Sequence, residues 1–180
     1  MSNTVLLWGI SAVLVFWAVG AYNRLVRLRA LAIAAFVPLQ SQYGQYSVLV
    51  RSNFEALGGD ERLTARSGLL SATLQFQISL KAASAHPLDN LVMRALETAH
   101  EVLHDSWARV CDEPQDLAGD PLPEALQKQW ADIASQADHG REEFNRRIQD
   151  YNHGIQQFPA NLLAWLFRLQ PAYWEKEITR

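Results

Sequence analysis

The stretch Tyr151 to Phe167, YNHGIQQFPANLLAWLF, decides how this chain is laid out. It reads as the end of a long helix, a break at Pro159 and a short apolar restart. Proline has no N–H to donate and pushes the preceding residue, Phe158, away from helical geometry. The first two residues have an echo far upstream. Tyr22-Asn23 stands where an N-terminal apolar run ends. If the helices between are antiparallel, the two Tyr-Asn pairs lie side by side at one end of the molecule.

The helix that ends at Phe158 begins near Glu124. Leu126, Trp130, Ile133, Ala137, Phe144, Ile148, Tyr151, Ile155 and Phe158 recur at helical spacing along it. Before it, Glu113-Pro114 to Pro123 reads as a loop rich in Asp, Pro and Gly. A third helix is expected from about Leu88 to Val110, burying Leu88, Leu91, Val92, Ala95, Ala99, Val102 and Val110. A second is expected from about Glu61 to Ala85, with Leu63, Leu70, Leu74, Ile78 and Lys81 on its seam. His86-Pro87 forces the reversal between them. The first helix carries one unbroken seam: Leu25, Leu28, Ala32, Ala35, Leu39, Tyr43, Tyr46, Val50, Phe54 and Leu57. Pro38 lies inside it and is expected to kink rather than end it, because the seam resumes in phase. Gly58-Gly59 stops the helix and Asp60 can cap the next. Long helices joined by short connections predict an all-α antiparallel four-helix bundle.

Upstream of the bundle, Thr4 to Tyr22 carries no charge. As a helix it spans about 28 Å, close to the hydrocarbon thickness of a bilayer. Trp8 near one end, and Trp17 with Tyr22 near the other, suit interfacial belts. Arg24, Arg27 and Arg29 follow at once, and no Lys or Arg precedes the run. That asymmetry predicts a single-pass anchor with the N-terminus outside and the bundle cytoplasmic. A cleaved signal peptide is disfavoured, because the helical pattern continues past Ala18-Val19-Gly20. The expected organisation is an anchor over 1–21, a bundle over 22–158 and a capping or interfacial segment over 159–180. In that segment Leu162, Leu163, Trp165, Leu166 and Phe167 are expected to cover the ends of helices one and four, or to lie among lipid headgroups. Tyr173, Trp174 and Lys176 fit an interfacial tail.

Composition agrees. Hydrophobic residues make up 49% of the 180 residues while charged ones fall to 19%, a balance that points toward a membrane segment. A formal charge of −3 supplies no basic stripe for phosphates, so nucleic acid is not an expected partner. One cysteine, Cys111, excludes an intrachain disulfide.

Two stretches resemble a known family. Tyr22-Asn23-Arg24-Leu25-Val26-Arg27-Leu28-Arg29, and Tyr151-Asn152 with Ile155-Gln156, Phe158-Pro159 and Asn161-Leu162, are similar to the LemA family of bacterial membrane proteins. Tyr173-Trp174-Glu175 is similar to that family's ending. The resemblance implies an N-terminal anchor in the bacterial inner membrane, a long helical bundle of coiled-coil character and no established enzymatic activity. The motif positions it marks are Tyr22, Asn23, Leu25, Leu28, Arg29, Tyr151, Asn152, Ile155, Gln156, Phe158, Pro159, Asn161 and Leu162. There are departures: Ala35-Phe36 stands where the family usually has Ala-Trp. Gly44 to Asn53 lacks the usual basic cluster, which marks the chain as a divergent member.

One motif carries chemistry. His100-Glu101-Val102-Leu103-His104 spells H-E-x-x-H on an expected helix, where two imidazoles could share a zinc and Glu101 could activate water. The alternative function is therefore a membrane-anchored zinc metallohydrolase. Against it, Trp107 and Val110 occupy the positions where the longer motif needs Gly and His, and Asp105 follows directly. A bland reading, two histidines at the border of an amphipathic helix with Glu101 toward water, fits better. A weaker variant adds Cys111 to His100 and His104 as a transition-metal site. No phosphate loop, nucleophile arrangement or cofactor motif is present. The reading favours no enzyme and no cofactor. It favours a membrane-tethered scaffold or adaptor with unidentified protein partners, and it leaves homo-oligomerisation open.

Overall fold

A computed structural model describes residues 2–54, 64–112, 122–158 and 160–172. Gly58-Gly59, Asp60, the loop over 113–121, Pro159 and the aromatic ending Tyr173-Trp174 lie outside the described residues. Within them the chain is all helix: α1 (Ser2–Phe54), α2 (Thr64–Ala85), α3 (Asn90–Cys111), α4 (Glu124–Gln156) and α5 (Ala160–Leu166). The protein is an all-α helical bundle. It divides into two compact units, one of residues 35–144 and one of residues 1–34 with 145–180. α1 and α4 each supply a segment to both units.

In the unit of residues 35–144, α1 buries Phe36, Leu39, Tyr43, Tyr46, Leu49, Val50 and Phe54, and the expected seam holds. Pro38 sits inside the helix on its exposed side, and α1 runs through it. α4 buries Leu126, Trp130, Ile133, Ala137 and Phe144, again as expected. Phe36 meets Phe144 edge to face with centroids 5.3 Å apart.

The inner faces of α2 and α3 differ from expectation. α2 turns Leu69, Ala72, Thr73, Phe76, Leu80 and Ala83 inward, while Leu74 and Ile78 lie exposed, Ile78 by 72%. The side chain of Thr73 is satisfied by donating to the Leu69 carbonyl at 2.7 Å, so a hydroxyl sits in the core without cost. Phe76 offers far more area than Leu74 or Ile78 and packs against Tyr43 and Tyr46. α3 buries Met93, Leu96, Ala99, Leu103, Trp107 and Val110. Leu91 is 80% exposed, and Ala95 and Val102 also face outward. The α2–α3 turn has its expected place: Asp89 accepts from Leu91 N at 2.9 Å and Val92 N at 3.1 Å, so its short carboxylate N-caps α3.

In the unit of residues 1–34 and 145–180, Leu25 and Ala32 of α1 and Ile148, Tyr151 and Ile155 of α4 are buried. The helices meet closely at Gly154, where a Cβ would stand 2.5 Å from Leu28 Cδ1. α5 turns its small residues inward: Ala160 and Ala164 are buried and Leu163 is half-buried. Leu162, Trp165, Leu166 and Phe167 are exposed, as is Phe158. Leu162, Trp165 and Leu166 thus do not cover the ends of α1 and α4, the first of the two placements expected for them, while Phe167 packs in part on Tyr22. Ala160 and Ala164, four apart, share the inner face of α5, and the large residues fall on the other side. Arg168 ends α5 in the left-handed region, φ 52°. Leu169 N donates to Ala164 O and Arg168 N to Trp165 O, the paired closure of a Schellman turn.

Candidate functional site

Three places collect the residues singled out above. The first is an aromatic and histidine cluster in the unit of residues 35–144. His100 and His104, one turn apart on α3, have ring centroids 4.4 Å apart. His100 lies among Tyr43, Tyr46 and Phe76, at centroid distances of 4.9, 5.8 and 5.8 Å. Trp130 packs on Tyr46 at 4.5 Å and stacks on Trp107 at 4.1 Å with planes 2° apart. The imidazoles therefore face further into the core than the border position expected for them. Hydropathy patterns count histidine as polar and so place the inner face of α3 elsewhere.

Electrostatics follow from that burial. Desolvation, then the neighbouring His104 and Arg141, push His100 down to about 3. His100 is neutral at any ordinary pH, and its Nε2 is buried without a hydrogen-bond partner. His104 is also lowered, by desolvation first, with Asp138 opposing. Its Nε2 lies 3.2 Å from Tyr46 Oη. Burial pushes the Tyr46 phenol well above its usual range, so the phenol keeps its proton and can donate it to a neutral His104. Glu101 is exposed, while the two imidazoles are half-buried against Tyr46. Cys111 is exposed, and no group of three His, Cys, Asp or Glu comes together among the described residues.

The second place is an open cleft of about 620 Å³ between α1 and α2 in the same unit. Gln40, Ser47, Arg51, Gln77, Lys81 and Ser84 contribute polar groups to its walls. Ser47 is buried, and its Oγ has no hydrogen-bond partner. The sequence reading did not find this cleft. Its only signal is a run of small and polar residues on neighbouring stripes of two otherwise apolar helices.

The third place holds the Tyr-Asn motifs. Asn152 is buried and grips the backbone of Ala172 in both directions: Nδ2 donates to Ala172 O at 2.8 Å, and Ala172 N donates to Oδ1 at 2.8 Å. Tyr151 Oη donates to Gln170 O at 3.2 Å. Burial raises the Tyr151 phenol, with Arg29 opposing, so it remains a donor. Of the other motif positions, Leu25 and Ile155 are buried and Leu28 is half-buried. Tyr22, Asn23, Arg29, Gln156, Phe158, Asn161 and Leu162 are exposed. Asn23 and Asn152 thus have different surroundings. The backbone that Asn152 holds, Gln170 to Ala172, went unnoticed because its side chains carry no pattern. A buried asparagine inside an apolar helical stripe was the available sign, since such a side chain needs a partner.

The residues expected at a membrane surface share this unit. From Leu6 to Arg24 no side chain is buried; Ala18 and Ala21 are half-buried. Trp8, Trp17, Tyr22, Arg24 and Arg27 are exposed.

The fold is that of a helical bundle in which, among the described residues, one helix is long and apolar enough to cross a membrane, its most apolar window unburied. A family model described as the LemA family matches residues 77–177, and the chain belongs to that family. No curated protein and no solved structure matches it.

Proposed function

We propose that this protein is a single-pass anchor protein of the bacterial inner membrane whose cytoplasmic helical bundle serves as a scaffold or adaptor for other proteins. The observation that carries the reading is the beginning of α1. From Leu6 to Phe16 it presents Leu, Val, Ile, Phe and Trp side chains that the fold leaves exposed. A water-soluble fold does not leave so long a run of large apolar residues uncovered, whereas a bilayer covers it. Arg24, Arg27 and Arg29 at the bundle side of this run favour the cytoplasmic orientation.

The adaptor role rests on what the bundle offers. Exposed Leu74 and Ile78 of α2 lie beside the polar cleft, a mixed surface of the kind proteins use to bind one another. The histidines of H-E-x-x-H are held in aromatic packing, His100 against Tyr43 and Phe76, which favours a core role over hydrolysis.

Topology gives the test. Gln136 is exposed on α4. Gln136→Cys in a Cys111→Ser background is expected to resist a membrane-impermeant maleimide in intact cells and to react after permeabilisation. Rapid labelling in intact cells would overturn the orientation. Zinc bound in stoichiometric amount and lost in His100→Ala, with hydrolysis lost in Glu101→Gln, would favour the enzyme instead.

A further inference from the structure

α5 stands in an unusual relation to its own unit. Its alanines face inward, and Leu162, Trp165 and Leu166 face out, Trp165 by 81%. The apolar residues flanking it, Phe158 and Phe167, are exposed as well. Both flanks touch the end of the apolar run of α1. Phe158 packs on Trp17 with centroids 5.5 Å apart, and Phe167 on Tyr22 at 5.0 Å. The uncovered surface of α5 is thus continuous with the uncovered surface of α1, at the end of the run where the arginines begin.

We infer that α5 and its flanking phenylalanines form a second membrane contact, a short helix lying in the headgroup and upper acyl region beside the α1 span. The inference rests on the anchor reading above and adds to it a site that the span alone does not require. Lipid is the occupant that the contacts favour. With α1 across a bilayer, Trp17 and Tyr22 sit near its cytoplasmic boundary, and the rings touching them sit at the same depth. Trp, Phe and Leu on one face are the residues of an interfacial helix. Arg168, exposed at the C-terminal end of α5, and Arg24 and Arg27 on α1 place cations where anionic headgroups lie.

The Tyr151-Asn152 pair gives this contact its rigidity. The chain leaves α4, forms α5, reverses at Arg168 and is clipped back to α4 at Gln170 and Ala172. The closed loop holds the apolar face of α5 outward without burying it. This assigns the motif a purpose: to fix a membrane-facing loop on the end of α4.

Spin labels report the depth of single positions through collisions with oxygen, which concentrates in lipid, and with a water-soluble nickel chelate. The full chain carrying Cys111→Ser would be labelled singly at Val13→Cys, Trp165→Cys, Leu166→Cys and Gln136→Cys. Each would be reconstituted in vesicles of phosphatidylethanolamine and phosphatidylglycerol. All four positions are exposed, so the substitutions leave the packing intact. The expected result is an excess of oxygen over nickel collisions at 13, 165 and 166, shallower at 165 and 166 than at 13, and the reverse at 136. Nickel dominance at 165 and 166 with oxygen dominance at 13 would overturn this inference and leave the anchor standing. Low collision rates with both reagents at 165 and 166 would overturn it in favour of a protein partner. Nickel dominance at 13 as well would remove the anchor, and this contact with it.

Discussion

Asn152 makes two hydrogen bonds to the backbone of a residue 20 positions away. Asn152→Ala leaves a buried N–H and C=O of Ala172 without partners, and an orphaned buried group costs about 1–3 kcal/mol. The expected outcome is faster hydrogen exchange over residues 160–172 with little change in the unit of residues 35–144, read by mass spectrometry on the detergent-solubilised chain. Exchange unchanged over 160–172 would show that the clip contributes nothing. His100 acts through its charge state. The unfolded chain takes up a proton near 6.5, the folded chain not until about 3. Between those values the unfolded state binds more protons, so stability is full above about pH 6.5 and falls as pH drops. One group shifted in this way changes stability by about 1.4 kcal/mol per pH unit within the window. His104 shifts in the same direction. The urea midpoint should therefore decline from about pH 6.5 downward, and His100→Leu should flatten the decline. An equally steep decline in His100→Leu would place the acid sensitivity elsewhere.

At the scale of elements, α4 carries two glycines with opposite surroundings. At Gly140 a Cβ would meet Leu39 atoms at 3.4–3.5 Å, ordinary contact distances. Gly140→Ala is expected to stabilise the helix by about 0.4–1 kcal/mol, because alanine has less backbone freedom to lose. At Gly154 the same Cβ would come within 2.5 Å of Leu28 Cδ1. Gly154→Ala gains the same propensity but forces Leu28 to move, so it is expected to give no net gain. Thermal melts of the two variants side by side make the comparison. A larger gain from Gly154→Ala than from Gly140→Ala would mean that Leu28 swings aside freely. α5 offers a third case: Arg168 occupies a conformation that favours glycine, and Arg168→Gly would relieve about 1 kcal/mol of strain at the turn while losing a cation.

For the whole molecule, the decisive feature is a helix that begins uncovered and ends as the spine of a core. Val13→Arg with Leu14→Arg places two charges at the middle of the apolar run, each costing about 2.5–3.5 kcal/mol at the centre of a bilayer. The prediction is loss of the chain from the carbonate-resistant membrane fraction, with the helical content of the bundle retained by circular dichroism. Full retention in that fraction would count against a span.

The sequence alone determined the class of the fold, the long seam of α1 through Pro38, and the stripe of α4 as far as Ile155. In each, one face carries nearly all the large apolar residues, so the period of the pattern fixes the buried side. It also determined that Thr4 to Tyr22 has the length and composition of a span. What it left to tertiary structure were the inner faces of α2 and α3 and the direction of α5. On α2, Leu74 and Ile78 compete with Leu69, Phe76 and Leu80, and on α3 Leu91 and Val102 compete with Leu96, Leu103 and Trp107. With apolar residues on two faces, periodicity has no single answer, and the choice falls to the rings of Tyr43, Tyr46 and Trp130 on the neighbouring helices. On α5 the spacing of Leu162, Trp165 and Leu166 marks one face, but not whether protein or solvent lies against it. Only the close packing of Ala160 and Ala164, with the clip from Asn152 to Ala172, turned that face outward.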